Sequence, residues 1–543
     1  MKKRLIALLL TGVLTMSCLS GCGKTAKPAL HIIDDNYRTC YEVFVYSFYD
    51  SDGDGIGDLP GLEKKLDYIN DGDDTTDSDL GCNEIWLMPI SPSPTYHKYD
   101  VTDYMDIDPQ YGTMEDFDAL IEDCHSRGVH VIIDFVMNHS SSEHPWFVAA
   151  SDYLKTLDAD EEPDLEACPY VDYYHFSREK LEGYTALPGS DWYYEARFWE
   201  GMPDLNLKSE AVRKEFDEIT SFWLDHGVDG FRLDAVTSYE TGQPDEITEE
   251  LTWFNDMVKA KKSDAYIVGE AWTNRKSYAP FYASGVDSFF DFSFADSNGN
   301  IAKVLHGAGS AADFAQSQIN AETLYQSYNP NYINAPFYTN HDMARGSGYY
   351  TGELALQQTK YALAMNLLMQ GNAFLYYGEE LGMRGSGADE NKRAPMQWSS
   401  DATAVGMCKG PANMKQQEMI YGSLEDQAKD PNSIYSFTKE VIRLRNTYPA
   451  IARGMTEILG ADSGEEGYGD SQICAIRRRW KDSDVAMLFN ISSEDRTVAM
   501  PEGYTLVDWV NATDAKNAVS EKDQILSLPA YSIAILSPDS GTK

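Results

Sequence analysis

The sequence predicts an α/β fold: a (β/α)8 TIM barrel with a small domain inserted after its third strand and a separate antiparallel β domain at the C-terminal end. Eight short runs, apolar on both faces, recur between residues 41 and 380, which is how strands of a fully covered parallel sheet read. Helix-length segments such as 113–127 and 210–226 separate them, and eight such units suit a closed barrel better than an open sheet. Past about residue 455 the pattern changes to strand-like alternation broken by Gly, Asp and Ser.

The first three runs are YEVFVYSF (41–48), NEIWLMPI (83–90) and VHVIIDFV (129–136). Three more follow a long interval: DGFRLDA (229–235), AYIVGEAW (265–272) and DSFFDFSF (287–294). INAPFYTNH (333–341) and NAFLYYGEE (372–380) complete the set, and SIYSFTKEVIRLRNTYPAI (433–451) reads as an amphipathic helix that closes it. Barrel residues are therefore expected at 40–140 and 206–453. The interval 141–205, rich in aromatics and acids, is too long for a plain connection and is expected to be an inserted domain overhanging one end of the barrel. Residues 454–543, with QICAIRRRW, DVAMLFNIS, YTLVDWVN and YSIAILS, are expected to form a β-sandwich domain.

Ahead of the barrel, MKKRLIALLLTGVLTMSCLSGC has three basic residues, an apolar run of signal-peptide length and then small residues. Residues 1–21 are expected to be a leader and 22–39 a tether. Leu19-Ser20-Gly21-Cys22 resembles a bacterial lipobox, which implies lipidation at Cys22 and an outward-facing protein on the cell membrane. No second apolar stretch is long enough to span a bilayer. The formal charge of −43 argues against a nucleic-acid partner, since phosphate backbones are held by a surplus of Lys and Arg. Beyond Cys22, six scattered cysteines show no close spacing of the kind zinc sites use.

Chemistry is expected where acids end the runs. Asp134, Asp234, Glu270 and Asp342 each fall at the C-terminal end of a different run, the face on which barrel enzymes carry their sites, in company with Asn138, His139, Arg232, Asn340 and His341. Converging carboxylates without a Cys or His cluster suit glycoside cleavage, in which one acid protonates the leaving oxygen and a second carboxylate attacks. Asp234 and Glu270, on successive strands, are the best pair. Arg232 stands two residues before Asp234 and so shares its side of the strand, where a fixed cation favours the ionised nucleophile. Glu270, with Trp272 close by, is expected to keep its proton longer and act as the acid. Neighbouring strands favour a carboxylate separation of roughly 5–5.5 Å and hence retention of configuration.

DFVMNH (134–139), GFRLDAV (230–236), GEAW (269–272) and TNHD (339–342) resemble, in order and spacing, four signature regions of the α-amylase family, glycoside hydrolase family 13. YHKYDVTDY (96–104), FLYYGEELGM (374–383) and APMQW (394–398) resemble it too. The resemblance implies Asp234 as nucleophile, Glu270 as acid and base, and Asp342 as a third carboxylate on the sugar hydroxyls. It implies His139, His341 and Arg232 around the attacked sugar, Tyr99 stacked on its face and Asp100 on its far side, with Arg345 and Arg393 as further substrate-binding candidates. It also answers why DSDGDGIGDLPG (50–61) crowds so many carboxylates together: the loop resembles the structural calcium loop of oligo-1,6-glucosidase-like and neopullulanase-like members. The implied Ca2+ ligands are Asp50, Asp52, Asp54, the Ile56 carbonyl and Asp58; an EF-hand is excluded because its twelfth position is Gly61.

MPDLN (202–206) resembles a fifth region of a subfamily intermediate between those two groups, and Ala235 is more like α-1,4-acting relatives than strictly α-1,6-acting ones. Thr237 and Ser238 depart from the Lys-His that many relatives carry there. Trp192, Tyr193, Tyr194, Phe198 and Trp199 could stack on glucose rings or pack the inserted domain. The expected protein is a lipid-anchored, monomeric retaining hydrolase of α-1,4-glucans such as starch and maltodextrin. A transglycosylase, an α-1,6-glucosidase or a non-catalytic glucan-binding lipoprotein on the same scaffold are the alternatives.

Overall fold

The computed structural model describes residues 27–415, 418–459 and 470–539; the expected leader and Cys22 lie outside these. Six strands pair in parallel in chain order: Thr39–Val43, Glu84–Leu87, His130–Phe135, Gly230–Leu233, Tyr266–Gly269 and Ser288–Phe289, with Ala373–Tyr376 returning beside the first. The seventh run is thinner than a full strand and joins only by single parallel bridges, Phe290 to Ala335 and Phe337 to Phe374. Pro336 lies between those bridges and has no N–H for a ladder. The carbonyls still serve, since Asp291 N–H donates to Ala335 O at 3.0 Å and Phe374 N–H to Pro336 O at 2.9 Å, and the ring closes. At the entry to the last strand Gly371 has φ +99°, and a Cβ there would stand 2.0 Å from the Asn334 carbonyl, so only glycine lets the two segments pass.

Inside the ring, Cys40, Trp86, Ile132, Tyr266, Val268, Phe290, Phe337 and Phe374 form one buried cluster. Helices cover the outside. Met114–Ser126 starts at a capping box between Thr113 and Asp116, and Glu210–Asp225 starts at Ser209 and buries Val212, Phe216, Ile219 and Trp223, the stripe its helical period dictates. Pro244–Lys261, Ala311–Tyr328, Ala355–Leu367 and Ile434–Thr447 continue the shell.

Between the third and fourth barrel strands lie a helix, Pro145–Leu154, and a small antiparallel sheet of Phe176–Ser177, Tyr193–Glu195 and Tyr184–Ala186. Single bridges, His139 to Asp204 and Tyr174 to Leu205, tie this segment to the barrel mouth. At the C-terminal end, a five-stranded antiparallel sheet runs in the order Glu457–Ile458, Ile473–Trp480, Ser483–Asn490, Ser532–Pro538 and Tyr504–Asn511. It packs Leu488, Ala534 and Leu536 against Val498, Leu526 and Leu528 of a three-stranded sheet.

Residues 27–38, the latter part of the expected tether, lie along the opposite end of the barrel from the strand C-termini. Asp34 pairs with His130, Asp35 with Arg453, and Arg38 with Glu84, at the starts of the second and third strands. Among the described residues no helix is long and apolar enough to cross a membrane.

Candidate active site

Strand parity builds the site. Successive side chains of a strand point to opposite faces, so Cys40 and Glu42, Ile132 and Asp134, Gly230 and Arg232, Val268 and Glu270 each share the inward side. The lower members leave room for or fill the ring; the upper members deliver charge to its C-terminal mouth. Trp86 forms the floor beneath, with the Arg232 guanidinium 5.0 Å from its ring centroid.

Arg232 is fully buried and joins three acids. Its Nη1 lies 2.8 Å from Asp134 and 2.7 Å from Asp234, and its Nη2 faces Glu270 Oε2 at 3.1 Å. One planar fork therefore draws the expected nucleophile and the expected acid to the same place. Ala235, next along, has φ +52°, a left-handed conformation that a small residue tolerates better than a β-branched one. Its N–H is thereby aimed at Glu270 Oε2, 3.2 Å away. The other Glu270 oxygen, Oε1, is buried with no partner among the described residues.

Burial pushes the Glu270 carboxyl up to about 7; Arg232 opposes this, while the charges of Asp234 and Asp342 add to it. Trp272, expected to shelter Glu270, is instead half exposed and stacks on Phe292 at 5.1 Å, so the apolar cover comes from the barrel rather than from that ring.

Asp342 has the opposite environment. Burial would raise its pKa, but His341 and Arg393 hold it well below the ordinary carboxylate range. His341 Nε2 is 2.9 Å from Asp342 Oδ2, and Arg393 Nη2 is 2.7 Å from Oδ1. His341 Nε2 also lies 2.8 Å from the Tyr99 hydroxyl, which donates to Asp134 at 2.9 Å. Its Nδ1 faces Glu42 at 2.6 Å. Burial disfavours the imidazolium, yet Asp342 and Glu42 outweigh it and bring His341 up to about 9. Tyr99 stacks on the His341 ring at 5.6 Å.

His139 is buried, burial favours its neutral form, and its Nε2 has no partner among the described residues. Asp100 is buried, accepting from Ser93 Oγ at 2.7 Å and from Thr95 Oγ1. Arg345 is not presented to the mouth. It is buried behind the site, donates to Lys392 O at 2.9 Å and Tyr377 O at 2.6 Å, and lies against the rings of Tyr376 and Tyr377. Of the aromatics in the inserted segment, Trp192 and Tyr194 are buried in packing, whereas Phe198 and Trp199 are exposed, with Phe198 against His139 at 5.2 Å.

In the aspartate loop, carboxylate oxygens of Asp50, Asp52 and Asp58 come within 4.8 Å of one another. Asp54 is not among them: its carboxylate accepts the Ile56 N–H at 2.7 Å, and Lys409 donates to its main-chain oxygen at 2.7 Å. Asp50 and Asp58 are buried and accept main-chain N–H bonds, Asp50 from Gly53 at 2.6 Å and Gly55 at 2.8 Å, Asp58 from Ser51 at 2.8 Å and Gly61 at 2.7 Å. Glu42 is the site residue that sequence reasoning overlooked. Its parity with Cys40, inside an otherwise apolar run, was the available signal.

The family model described as the α-amylase catalytic domain matches residues 42–454. The Eubacterium rectale protein Amy13B, of known structure, superposes with a TM-score of 0.89 and is 52% identical, over 94% of this chain and 97% of that one. Alpha-amylase 3 of Dictyoglomus thermophilum is 34% identical over 92% of this chain and 93% of its own length. An oligo-1,6-glucosidase of Parageobacillus thermoglucosidasius is 28% identical over 85% and 91%.

Glu42 positions His341, so Glu42→Gln tests that arrangement. With one of its two carboxylates gone, His341 should lose its proton at lower pH and release Asp342. We expect kcat/KM on a maltooligosaccharide to fall about 10- to 100-fold, the worth of one charged hydrogen bond, with the loss growing as pH rises towards about 9. A pH–rate profile superimposable on the wild type would remove Glu42 from this role.

Proposed function

Because the chain belongs to the α-amylase family of glycoside hydrolases, we propose that it hydrolyses α-1,4-glucosidic bonds of starch-type glucans with retention of configuration. The observation that carries this reading is the single buried guanidinium of Arg232 shared by Asp234 and Glu270. Two carboxylates on one fork sit close together, which supports the short separation of retaining enzymes over the roughly 6.5–9.5 Å of inverting ones.

In the first step Asp234 attacks the anomeric carbon while Glu270, protonated at Oε1, donates its proton to the departing glycosidic oxygen. The C–O bond to the leaving sugar breaks and an ester to Asp234 forms. In the second step the Glu270 carboxylate takes a proton from a water molecule that attacks the same carbon, which frees Asp234 and returns Glu270 to its acid form. Asp342, kept ionised by His341 and Arg393, accepts hydrogen bonds from the sugar hydroxyls and favours the cation-like ring of the transition state. Tyr99 and His139 complete the subsite. All of these groups come from one chain, which supports a monomer as the working unit. Ala235 supports α-1,4 over strict α-1,6 action.

Asp50, Asp52 and Asp58, with the Ile56 carbonyl, form a donor set of hard oxygens that suits a structural Ca2+ beside the first barrel strand. The ion would neutralise a loop that otherwise repels itself. We also propose that Cys22 carries a lipid and that the enzyme works on the outer side of the cell membrane, on the strength of the lipobox-like Leu19–Cys22 segment.

Glu270→Gln should lower kcat about 10²- to 10⁴-fold with substrate binding kept. In the wild type the acid form is lost as pH rises through about 7, so kcat/KM should decline on the alkaline side from there; a decline that begins only above the range of a carboxylic acid would exclude Glu270 as the acid. Reducing-sugar chromatograms from amylose, pullulan and maltotriose check linkage, and release of only α-1,6-linked glucose would reverse the assignment. Ca2+ at about 100 times its dissociation constant should stabilise the protein by about 2.7 kcal/mol over a chelator, an increment lost in Asp50→Asn; equal melting with and without Ca2+ would dismiss the ion. Metabolic labelling with palmitate should mark the chain, and labelling that survives Cys22→Ser would contradict the anchor.

A further inference from the structure

Between the barrel and the C-terminal sheet lies a cavity of about 790 Å3, walled by the helix Ile434–Thr447 and the strand Tyr504–Asn511. None of the active-site residues lines it. Its charge is unusual for a chain of net charge −43: five cations face three acids. Two of the five cations are held in ion pairs. Arg443 holds Asp508 in a two-pronged pair at 2.9 and 2.9 Å, Lys27 pairs with Glu440, and Lys439 donates to the main-chain oxygen of Asp77.

Lys360, Lys429 and Lys439 are in no ion pair among the described residues, and of these three only Lys360 is buried. Lys360 is only 1% exposed, and its ammonium makes one hydrogen bond, to the Ala512 carbonyl at 3.0 Å, with the Phe437 ring 5.8 Å away. No carboxylate is within ion-pair distance of it among the described residues; Asp430 and Asp514 act on it only through space. Buried ammonium groups are ordinarily paired, because desolvating an uncompensated charge is costly. Lys429, on the same wall but exposed, also has no ion pair among the described residues. Two N–H groups of Lys360 thus remain for a ligand inside a space large enough for a tetrahedral oxyanion.

We propose that this cavity is a phosphate-binding site, in which phosphate oxygens accept from Lys360 and Lys429. Such a ligand supplies the counter-charge that Lys360 lacks. Two sources share this chemistry: a soluble phosphate, including a phosphorylated sugar, and the headgroup of an anionic lipid. The second is near at hand if Cys22 is lipidated, because Lys27, on the cavity wall, follows it by only five residues.

Calorimetric titration of the full chain bearing Cys22→Ser with inorganic phosphate is the first arm, and co-sedimentation with phosphatidylglycerol or phosphatidylcholine vesicles is the second. Saturable phosphate binding, weakened on the order of tenfold by Lys360→Met and by Lys429→Met, with maltooligosaccharide hydrolysis unchanged, supports the site and a soluble source. Sedimentation with the anionic vesicles alone, lost in both variants, supports the site and a headgroup source. Lys429 is exposed, so Lys429→Met keeps the test valid should Lys360→Met fail to fold. No binding in either arm, or binding indifferent to the substitutions, overturns the proposal.

Discussion

The arrangement of the barrel mouth depends on one buried cation. Arg232 lies on the face of Trp86 with Asp134, Asp234 and Glu270 around its edge, and it is wholly removed from solvent. Three acids in so small a space would repel one another strongly at low dielectric, and the guanidinium is what allows them to stay. A lysine could not replace it, because a point charge on a flexible stem cannot hold three carboxylates in a plane. Removing one side of a buried pair costs roughly 3–5 kcal/mol, and here several pairs share the same group. Replacing buried ion pairs with well-packed hydrophobic residues is often neutral or stabilising. The retention of this cluster is explained by the chemistry that the carboxylates perform.

Around that cation the acids divide into two kinds. Glu270 has one oxygen held by Arg232 and the Ala235 N–H and another with no partner, so burial dominates and its proton is kept to about 7. Asp342 is clasped by His341 and Arg393, so its proton is lost far more easily. The same residue chemistry thus serves as an acid on one strand and as a fixed anion on another, which is how a site of carboxylates obtains distinct roles. Glu42 extends the division outward. Asp342 first and Glu42 second make His341 a durable cation, and Glu42 so supports the pairing of His341 with Asp342.

Much of this was legible in the sequence because parallel strands expose a simple code. Runs apolar on both faces announce the barrel, and a charged residue at the end of such a run faces the mouth whenever its parity matches the interior. Asp134, Arg232, Asp234 and Glu270 all obey the rule. Glu42 obeys it too but lies inside the first run rather than at its end, so it reads as an interruption. What was illegible depends on tertiary detail. Pro336 thins the seventh strand to two bridges without altering its apolar pattern. The alternate spacing of Asp50, Asp52 and Asp54 does not reveal that Lys409 reaches the Asp54 carbonyl while the carboxylates of Asp50, Asp52 and Asp58 converge. Arg345 follows the TNHD motif closely in sequence, yet the turn carries it behind the site into main-chain oxygens and tyrosine rings.

Two buried arginines at the opposite end of the barrel are used differently from Arg232. At the floor, Arg445 donates to the carbonyls of Leu367, Met369 and Gly371, and Arg478 from the C-terminal sheet donates to Leu368 O and Ile451 O, both at 2.7 Å. These groups satisfy chain ends where helices run into strands, which main-chain hydrogen bonding cannot do by itself. Burial, reinforced by the positive charges of Arg453 and Arg478, brings Arg445 down to about 9. Carbonyl dipoles compensate a buried cation less than carboxylates do, and the main-chain partners of Arg445 cannot exchange protons. At the mouth the same guanidinium meets carboxylates, which can. The closed ring between them keeps the two kinds of polar network apart, with the cluster around Trp86 and Phe374 as the dry layer.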